Sequence, residues 1–235
     1  MRQLAPAFVL LLSTLTSPPA RAIDHADSAS TMAAPTTDIT DLFSWMSSDG
    51  SKVILAMTVF PSASAGSRFA TDALYVFHTV SRTSLTATTG VQTDIYCGFD
   101  DSQRISCIVG DPSTSASGDA SSPSGITSTN GKLKVFAGLR KDPSFVSIPN
   151  LVNFKTAVTS ALMGVTADAA GCKALPVSAG KTSAQTALAG TSPSINTYAS
   201  SSVLSLVMEV DRTLLSRGGP ILSVWGATHK KLKTN

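Results

Sequence analysis

The sequence predicts an all-β fold, an antiparallel β-sandwich of jelly-roll character with long Ser/Thr/Gly-rich loops and one or two short helices. Apolar runs of strand length recur along the chain between Gly, Pro and Asp turn signals. Charged residues make up only 14% of the sequence, whereas exposed helices usually need many Glu, Lys and Arg side chains. The runs do not alternate regularly with helical patterns, so a parallel α/β sheet is not predicted.

Roughly eight or nine strands are expected from the hydrophobic pattern. Residues 38–46 and 52–60 flank Asp49-Gly50, a strong turn signal, and should form a hairpin. Several runs are apolar at consecutive positions, which indicates burial on both faces of a sheet. The remaining predicted strands cover residues 73–80, 94–99, 104–110, 132–138, 202–210 and 220–227.

The segments between these strands give the loops and helices. Residues from about 111 to 130 are mostly Ser, Thr, Gly, Pro and Ala, which bury too little apolar area to offset their ordering entropy, so this segment is predicted to be a flexible loop. A second such loop is predicted at about 167–194. The apolar spacing in residues 148–165 is closer to helical periodicity, and a short helical turn is expected at 211–215.

Residues 1–22 have the pattern of a secretory signal peptide. Arg2 precedes an apolar stretch, and Ala20-Arg21-Ala22 provides an A-x-A site with predicted cleavage after Ala22. A membrane-spanning helix needs roughly 20 apolar residues, and no segment reaches that length, so no membrane span is predicted. We therefore expect a secreted or periplasmic protein whose residues 23–235 form a single β-sandwich domain.

The charge of the chain argues against nucleic-acid binding. The formal net charge is +3, and it falls to +1 once Arg2 and Arg21 leave with the signal peptide. Affinity for a phosphate backbone comes from clustered Lys and Arg side chains, and the only basic cluster lies at the extreme C-terminus. The expected partner is instead a cell-envelope component or a small molecule.

Two of the three cysteines are predicted to form a disulfide. Cys97 and Cys107 lie in the two arms of a predicted hairpin, where pairing around the turn sets them nearly opposite each other. An oxidising compartment favours the bond, whereas the alternative is two small apolar side chains packed without a bond. Cys172 is left as an unpaired thiol in a loop.

Several phrases, taken in order, resemble the bacterial domain-of-unknown-function family 4331. They are residues 24–28, 38–43, 53–59, 136–143, 207–210 and 222–226. The resemblance spans nearly the whole mature chain and implies an exported bacterial protein, but it brings no reaction, substrate or catalytic residue. The sequence departs from the family pattern at Lys141, where an acid is expected, and at Ser144, where an aromatic residue is expected.

The start of the mature chain carries the candidate metal ligands Asp24, His25, Asp27, Asp38 and Asp41. Carboxylates suit hard cations such as calcium, while a histidine among carboxylates suits zinc or another transition metal. A structural divalent cation that tethers the chain start is one hypothesis. The alternative is that these side chains cap or pin the first strand by hydrogen bonds.

Two further groups bear on ligand binding. Arg140 and Asp142 could pair across a turn or hold a ligand carboxylate. Trp45 and Trp225 lie in apolar strands, so core packing is predicted for them instead of a sugar-stacking surface. His78 lies within a strand and is predicted to be a hydrogen-bonded histidine of the core or sheet surface.

These observations favour a non-catalytic binding or structural sandwich. One alternative is a metal-dependent hydrolase or lyase that uses the N-terminal Asp/His cluster. The other is a carbohydrate- or haem-binding sandwich, which requires an aromatic- or Met-lined groove. Complete burial of five side chains would exclude that second alternative: Trp45, Trp225, Met46, Met57 and Met208.

Overall fold

Ten β-strands form two antiparallel sheets, which confirms the predicted all-β sandwich. The computed structural model describes residues 29–174, 179–190 and 195–230. The strands are β1 (Ile39–Met46), β2 (Lys52–Val59), β3 (Ala73–Arg82), β4 (Val91–Phe99), β5 (Ile105–Val109), β6 (Asp111–Gly118), β7 (Ile126–Thr127), β8 (Leu133–Lys141), β9 (Ser202–Asp211) and β10 (Ile221–Lys230). The helical segments are α1 (Ala29–Ala33), a 3-10 turn (Pro35–Thr37), α2 (Ile148–Ala161), α3 (Ala179–Ala189) and α4 (Arg212–Leu215).

Each sheet has five strands. Sheet A has the order β1-β2-β9-β8-β7, and sheet B has the order β10-β3-β4-β5-β6. Strands β3 to β6 form a meander, and the last strand returns to lie beside β3, which is the Greek-key order. Between the strands of the described residues, the chain crosses from one sheet to the other three times, after β2, β6 and β9. Most connections are therefore hairpins or excursions within one sheet.

The core lies between the two sheets and is built from alternate residues of the central strands. Because successive side chains of a strand point to opposite faces, every second residue faces inward. In sheet A the inward side chains of β2 and β9 are Val53, Leu55, Met57, Val59, Leu204, Leu206, Met208 and Val210. Sheet B contributes large buried residues that include Tyr75, Phe77, Ile95 and Ile105. One apolar cluster thus joins both sheets.

Tyr75 is the polar anchor of this core. Its hydroxyl donates to the carbonyl oxygen of Thr36 at 2.8 Å and accepts from the backbone N–H of Ala70 at 2.8 Å. Its ring meets Phe69 and Phe99 edge to face, with centroids 5.5 and 5.7 Å away. Burial raises the pKa of Tyr75 to about 12. The neutral hydroxyl therefore ties the segment before β1 to the loop before β3.

The turn predicted at Asp49-Gly50 joins β1 and β2 and has the expected chemistry. Gly50 has a φ of +68°, which favours glycine. Asp49 accepts hydrogen bonds from the hydroxyls of Ser47 and Ser51 and from the N–H of Ser51. These bonds lower the pKa of Asp49 to about 2. The carboxylate therefore closes the turn.

The structure corrects the prediction of a flexible loop at about 111–130. Residues Asp111–Gly118 form β6, which pairs with β5 at the edge of sheet B, and β7 lies within the same segment. The inward side of β6 is lined by the small residues Thr114, Ala116 and Gly118. Backbone pairing with β5 orders this segment even though its side chains bury little apolar area.

The segment predicted as a second loop, about 167–194, contains α3. This helix packs against α2, which lies within the predicted helical segment 148–165. The two helices are inserted between β8 and β9, which are hydrogen-bonded neighbours in sheet A. Cys172, in the same connection, is an exposed free thiol. Within the described ranges, none of the helices is long and apolar enough to cross a membrane.

The predicted disulfide between Cys97 and Cys107 is confirmed. The two residues are direct cross-strand partners in the β4–β5 hairpin, and both are fully buried in the core. Their sulfur atoms therefore fasten the hairpin from inside the sandwich. A disulfide fits a protein that folds in an oxidising, extracytoplasmic compartment.

Removing this disulfide should lower the free energy of unfolding by about 2–3 kcal/mol, because the bond closes a short loop and restricts the unfolded chain. The variant is Cys97→Ala with Cys107→Ala in a Cys172→Ser background, and the measurement is urea unfolding. Cys172→Ser alone is the control and should unfold like the wild type. A wild-type midpoint that does not change when reductant is added would contradict this prediction.

Candidate functional site

The outer face of sheet A carries a groove of about 710 Å³. We call it the sheet A groove. It crosses β1, β2, β9 and β8, and the loop residues Pro123 to Gly125 and Pro143 lie at its rim. Ligand pockets of small molecules typically measure about 300–1,000 Å³, so the groove has a suitable size.

Small side chains form the floor of the groove. The outward residues of the two central strands are Ala56 and Thr58 on β2 and Ser205 and Val207 on β9. Register places Phe43, Ala56, Val207 and Phe136 in one row across the sheet. Large residues at both ends of that row flank small ones in its middle. The depression therefore arises from side-chain size along the row.

One wall of the groove is aromatic and belongs to β1. Phe43 and Trp45 are two residues apart and so lie on the same face of the strand. Their side chains are 38% and 51% exposed, although both are apolar and rigid. An exposed pair of aromatic side chains beside a depression is typical of a surface that binds a ligand.

The opposite wall belongs to β8 and combines an aromatic ring with a cation. The guanidinium of Arg140 lies 3.9 Å from the centroid of the Phe136 ring, and its Nη1 donates to the carbonyl oxygen of Leu139 at 2.9 Å. Gly138, between them on the same face, makes room for the ring: a Cβ there would lie 3.0 Å from Phe136 Cζ. The stacking holds Arg140 in place.

Two loops border the groove, and glycine and serine fix them. A Cβ on Gly125, whose φ is +62°, would collide with the carbonyl oxygen of Val135, so only glycine lets this loop lie against β8. On the other side, the Ser144 hydroxyl donates to both carboxylate oxygens of Asp41 at 3.0 and 2.9 Å. Asp41 thereby holds the loop that contains Pro143 against the sheet.

Charged groups line the groove unevenly. The cations Lys134, Arg140 and Lys141 face it together with one carboxylate, Glu209. Glu209 and Lys134 are cross-strand partners in the β8–β9 register. All four residues are exposed. The groove therefore combines an apolar surface with an excess of positive charge.

The outer face of sheet B carries a second aromatic cluster, but its groups are engaged with one another. The ring of His78 stacks on Trp225 with centroids 5.2 Å apart, and its Nδ1 lies 3.0 Å from Asp94 Oδ1. Tyr96 donates to Asp94 Oδ2 at 3.1 Å, and Gln92 also donates to this carboxylate. His78 is thus a hydrogen-bonded histidine at the sheet surface, as the sequence predicted.

The predicted metal ligands are only partly within the structure. Asp24, His25 and Asp27 lie outside the described residues. Asp38 is buried, and Asp41 accepts hydrogen bonds from Ser144 and from Thr58 Oγ1 at 3.1 Å. No group of three His, Cys, Asp or Glu side chains suited to a metal ion occurs within the described ranges. The structural cation stays a prediction, and the carboxylate of Asp41 serves to dock a loop.

The other predicted binding residues have separate roles. Arg140 lines the groove, while Asp142 is buried and accepts a hydrogen bond from the N–H of Ser144 at 2.9 Å. The prediction that Trp45 and Trp225 pack in the core is wrong, because they are 51% and 44% exposed. Met46 is exposed too, whereas Met57 and Met208 are buried. The condition that would exclude a carbohydrate- or haem-binding sandwich is therefore not met.

Sequence reasoning missed three parts of the groove: its small-residue floor, Phe43 and Phe136. A signal for one wall was present in the sequence. Phe136 and Gly138 lie at alternate positions of the strand predicted at 132–138, and Arg140 continues this spacing just beyond its predicted end, so the three would share one face if the strand continued. The floor gave no such signal, because its residues belong to strands that lie far apart in the chain.

No family model matches the chain, and neither a curated protein nor a solved structure is significantly similar to it. The resemblance to family 4331 therefore stays a prediction.

Replacing Asp41 by Ala should loosen the loop at residues 142–147 and lower the free energy of unfolding by about 1–2 kcal/mol, because hydrogen bonds to a charged acceptor are lost. Hydrogen exchange of this loop and urea unfolding measure the two effects. Ser144→Ala should change both in the same direction, whereas Ser44→Ala, exposed on the same strand, serves as the control. Unchanged exchange in Asp41→Ala would contradict the assigned role.

The free energy of unfolding should also depend on whether the carboxyl group of Asp94 is ionised. Partial burial opposes its ionisation, but hydrogen bonds from Gln92, His78 and Tyr96 outweigh burial and hold the pKa of Asp94 below its ordinary value. A carboxyl whose pKa is lowered by folding stabilises the protein above its unfolded pKa, about 3.9, and loses this effect as the pH falls through its folded pKa. The gap in unfolding free energy between the wild type and Asp94→Asn should therefore narrow below about pH 4.

Urea unfolding across an acidic pH series measures that gap, and an NMR titration of the carboxyl carbon measures the pKa directly. Gln92→Ala removes one donor and should raise the pKa of Asp94 toward its ordinary value. A wild-type Asp94 that titrates at or above the ordinary carboxyl pKa would contradict the prediction.

Proposed function

We propose that the protein is an exported, non-catalytic binding sandwich that holds a saccharide in the sheet A groove. The observation that carries the proposal is the exposed aromatic wall, Phe43 and Trp45, beside a floor of small residues. The C–H faces of sugar rings pack on aromatic rings, while sugar hydroxyls need polar partners at the border. Lys134, Glu209 and Arg140 supply such partners.

The shape of the groove supports an extended ligand. The two walls lie on β1 and β8, three strand spacings apart, or roughly 14 Å at about 4.8 Å per spacing. Phe43 and Trp45 are exposed to solvent, so the outer side of a ligand that packs on them stays in water. A chain of sugar rings can lie along such an open surface, because its hydroxyls that face away remain hydrated. An alkyl chain in the same place would stay half exposed to water.

The side chains that line the groove favour binding over hydrolysis. Glycoside hydrolysis generally uses a pair of carboxyl groups that flank the scissile bond. Among the described lining residues, Glu209 is the single carboxylate. A metal-dependent hydrolase is less well supported. Asp41, one of the predicted metal ligands, instead accepts hydrogen bonds from the hydroxyls of Thr58 and Ser144. We therefore propose that the protein binds its ligand and releases it chemically unchanged.

The same residues argue against haem as the ligand. Protein ligands to haem iron are usually His, Cys, Met or Tyr side chains. The described lining contains no His, Cys or Tyr, and the side chain of Met208 is buried in the core. The carbohydrate alternative is thus the one that the composition of the groove favours.

Export is part of the proposal. The buried Cys97–Cys107 bond fits an extracytoplasmic protein. The expected signal peptide, with cleavage after Ala22, lies outside the described residues and stays a prediction. A secreted or periplasmic location would bring the groove into contact with polysaccharides of the cell envelope or of the surroundings, which are the partners that we propose.

Trp45 allows a direct test, because the chain has only two tryptophans. In the variant Trp225→Phe, Trp45 becomes the sole indole, and its fluorescence reports occupancy of the groove. The probes are oligomers of glucose, mannose, galactose and N-acetylglucosamine, together with the corresponding uronic acids. We expect at least one class to shift the Trp45 emission in a saturable way.

Truncating the aromatic wall should weaken that binding. Trp45→Ala should cost about 2 kcal/mol, or roughly 30-fold in affinity, as is typical of an aromatic side chain at the centre of a binding surface. Calorimetry with the best oligomer measures this loss. Trp225→Ala is the matched control, because Trp225 is also exposed but lies on the other sheet, and this variant should bind like the wild type. Failure of every oligomer to bind would contradict the proposed function.

A further inference from the structure

We propose that the sheet A groove selects acidic saccharides, oligomers of uronic acids, and that Arg140 binds their carboxylates. This inference rests on the proposed function of the same groove. It adds the chemical class of the ligand, which follows from the charges that line the groove and from the contacts of Arg140 on β8.

The first observation is the local excess of positive charge. Three cations and one carboxylate line the groove, whereas the whole chain carries 18 basic and 15 acidic side chains and is close to neutral. Positive charge is therefore concentrated where the ligand would lie. A field of one sign over a groove attracts ligands of the opposite sign. A neutral saccharide could form hydrogen bonds with these side chains but would gain no attraction between opposite charges.

The second observation is that these cations form no ion pair with an acidic side chain among the described residues. Within the part of the chain that the structure describes, the ion pairs are Lys52 with Asp211, His78 with Asp94, and Lys230 with Asp72. None of them includes Lys134, Arg140 or Lys141. Glu209 lies opposite Lys134 in the register, yet the two do not form an ion pair. The positive charges of the groove remain available to a ligand.

The third observation is that Arg140 is held in place before a ligand arrives. Its guanidinium stacks on Phe136 at 3.9 Å, and Nη1 donates to the carbonyl oxygen of Leu139 at 2.9 Å. An arginine has five N–H donors, so most of them remain for a ligand. The planar guanidinium matches a carboxylate with two parallel hydrogen bonds. Phe136 acts as a positioning residue for this cation.

The two ends of the groove carry different side chains, so a bound oligomer has a preferred orientation. Register places Trp45, Ile54, Glu209 and Lys134 in one row, while Arg140 lies six residues further along β8. A sugar ring can stack on Trp45, and Glu209 can accept hydrogen bonds from its hydroxyls while Lys134, its cross-strand partner, offsets the negative charge. The ring at the Arg140 end places its carboxylate beside the guanidinium.

The test compares acidic oligomers with neutral copies of themselves. The probes are oligogalacturonate and oligomannuronate, each paired with its carboxyl-reduced counterpart of the same length and linkage. Trp45 fluorescence in the Trp225→Phe protein reports the affinity for each probe. We expect at least one acidic oligomer to bind tenfold or more tightly than its reduced copy at low ionic strength. Added salt should reduce this preference, since exposed charges are screened.

Arg140→Gln should reduce the affinity for the acidic oligomer to that of the carboxyl-reduced copy. Arg104→Gln removes the same charge from an exposed residue outside the groove and is the matched control, so it should keep the preference. Circular dichroism checks that both variants fold, which is expected because both side chains are exposed. A preference that survives in Arg140→Gln would overturn the role of Arg140.

The outcomes separate the two proposals. If the acidic and the reduced oligomers bind equally, or the reduced ones bind more tightly, the inference about acidic saccharides is overturned and the proposed function stands. If no saccharide of either kind binds, the proposed function itself fails. Tighter binding of the acidic oligomers that depends on Arg140 supports both.

Discussion

The structure depends on a packing constraint in the two central strands of sheet A. Strands β2 and β9 must fill the core with their inward side chains, and Leu55 and Leu206 are among those that do so. On the other face they carry small residues such as Ala56 and Ser205, which are buried although they point outward. Large outward side chains there would fill the depression. The groove therefore exists because β2 and β9 carry large side chains on their inward face and small ones on their outward face.

The two outer faces of the sandwich carry similar residue types but differ in what those residues do. On sheet B the aromatic and charged groups satisfy one another, as in the contact of His78 with Asp94 and Trp225. On sheet A the aromatic wall is exposed, and the cations opposite it lack ionic partners among the described residues. Polar groups that are already satisfied gain little from a ligand, whereas those of the groove can still form bonds.

Much of the fold could be predicted from the sequence, since long apolar runs with clear turns gave most strands, and the hairpin geometry gave the disulfide. Strand β6 was missed because its Ser, Thr and Ala side chains carry no hydrophobic signal, and backbone pairing orders it instead. The exposure of Trp45 could not be predicted, because a run that is apolar at consecutive positions does not show which face meets the core. Arg140 was identified as a candidate, and its stacking partner Phe136, four residues earlier on the same face of β8, was missed although the spacing was visible in the sequence.

The helical insertion between β8 and β9 has a closed base. Lys141 pairs with Ser202, the N–H of Asp142 bonds to the carbonyl oxygen of Ser201, and the N–H of Thr197 bonds to that of Val146. The chain thus leaves and re-enters the sandwich at neighbouring points, and the two helices lie beyond this paired base. Because the strands pair across this base, α2 and α3 could be shortened or replaced without a change in the order of the strands.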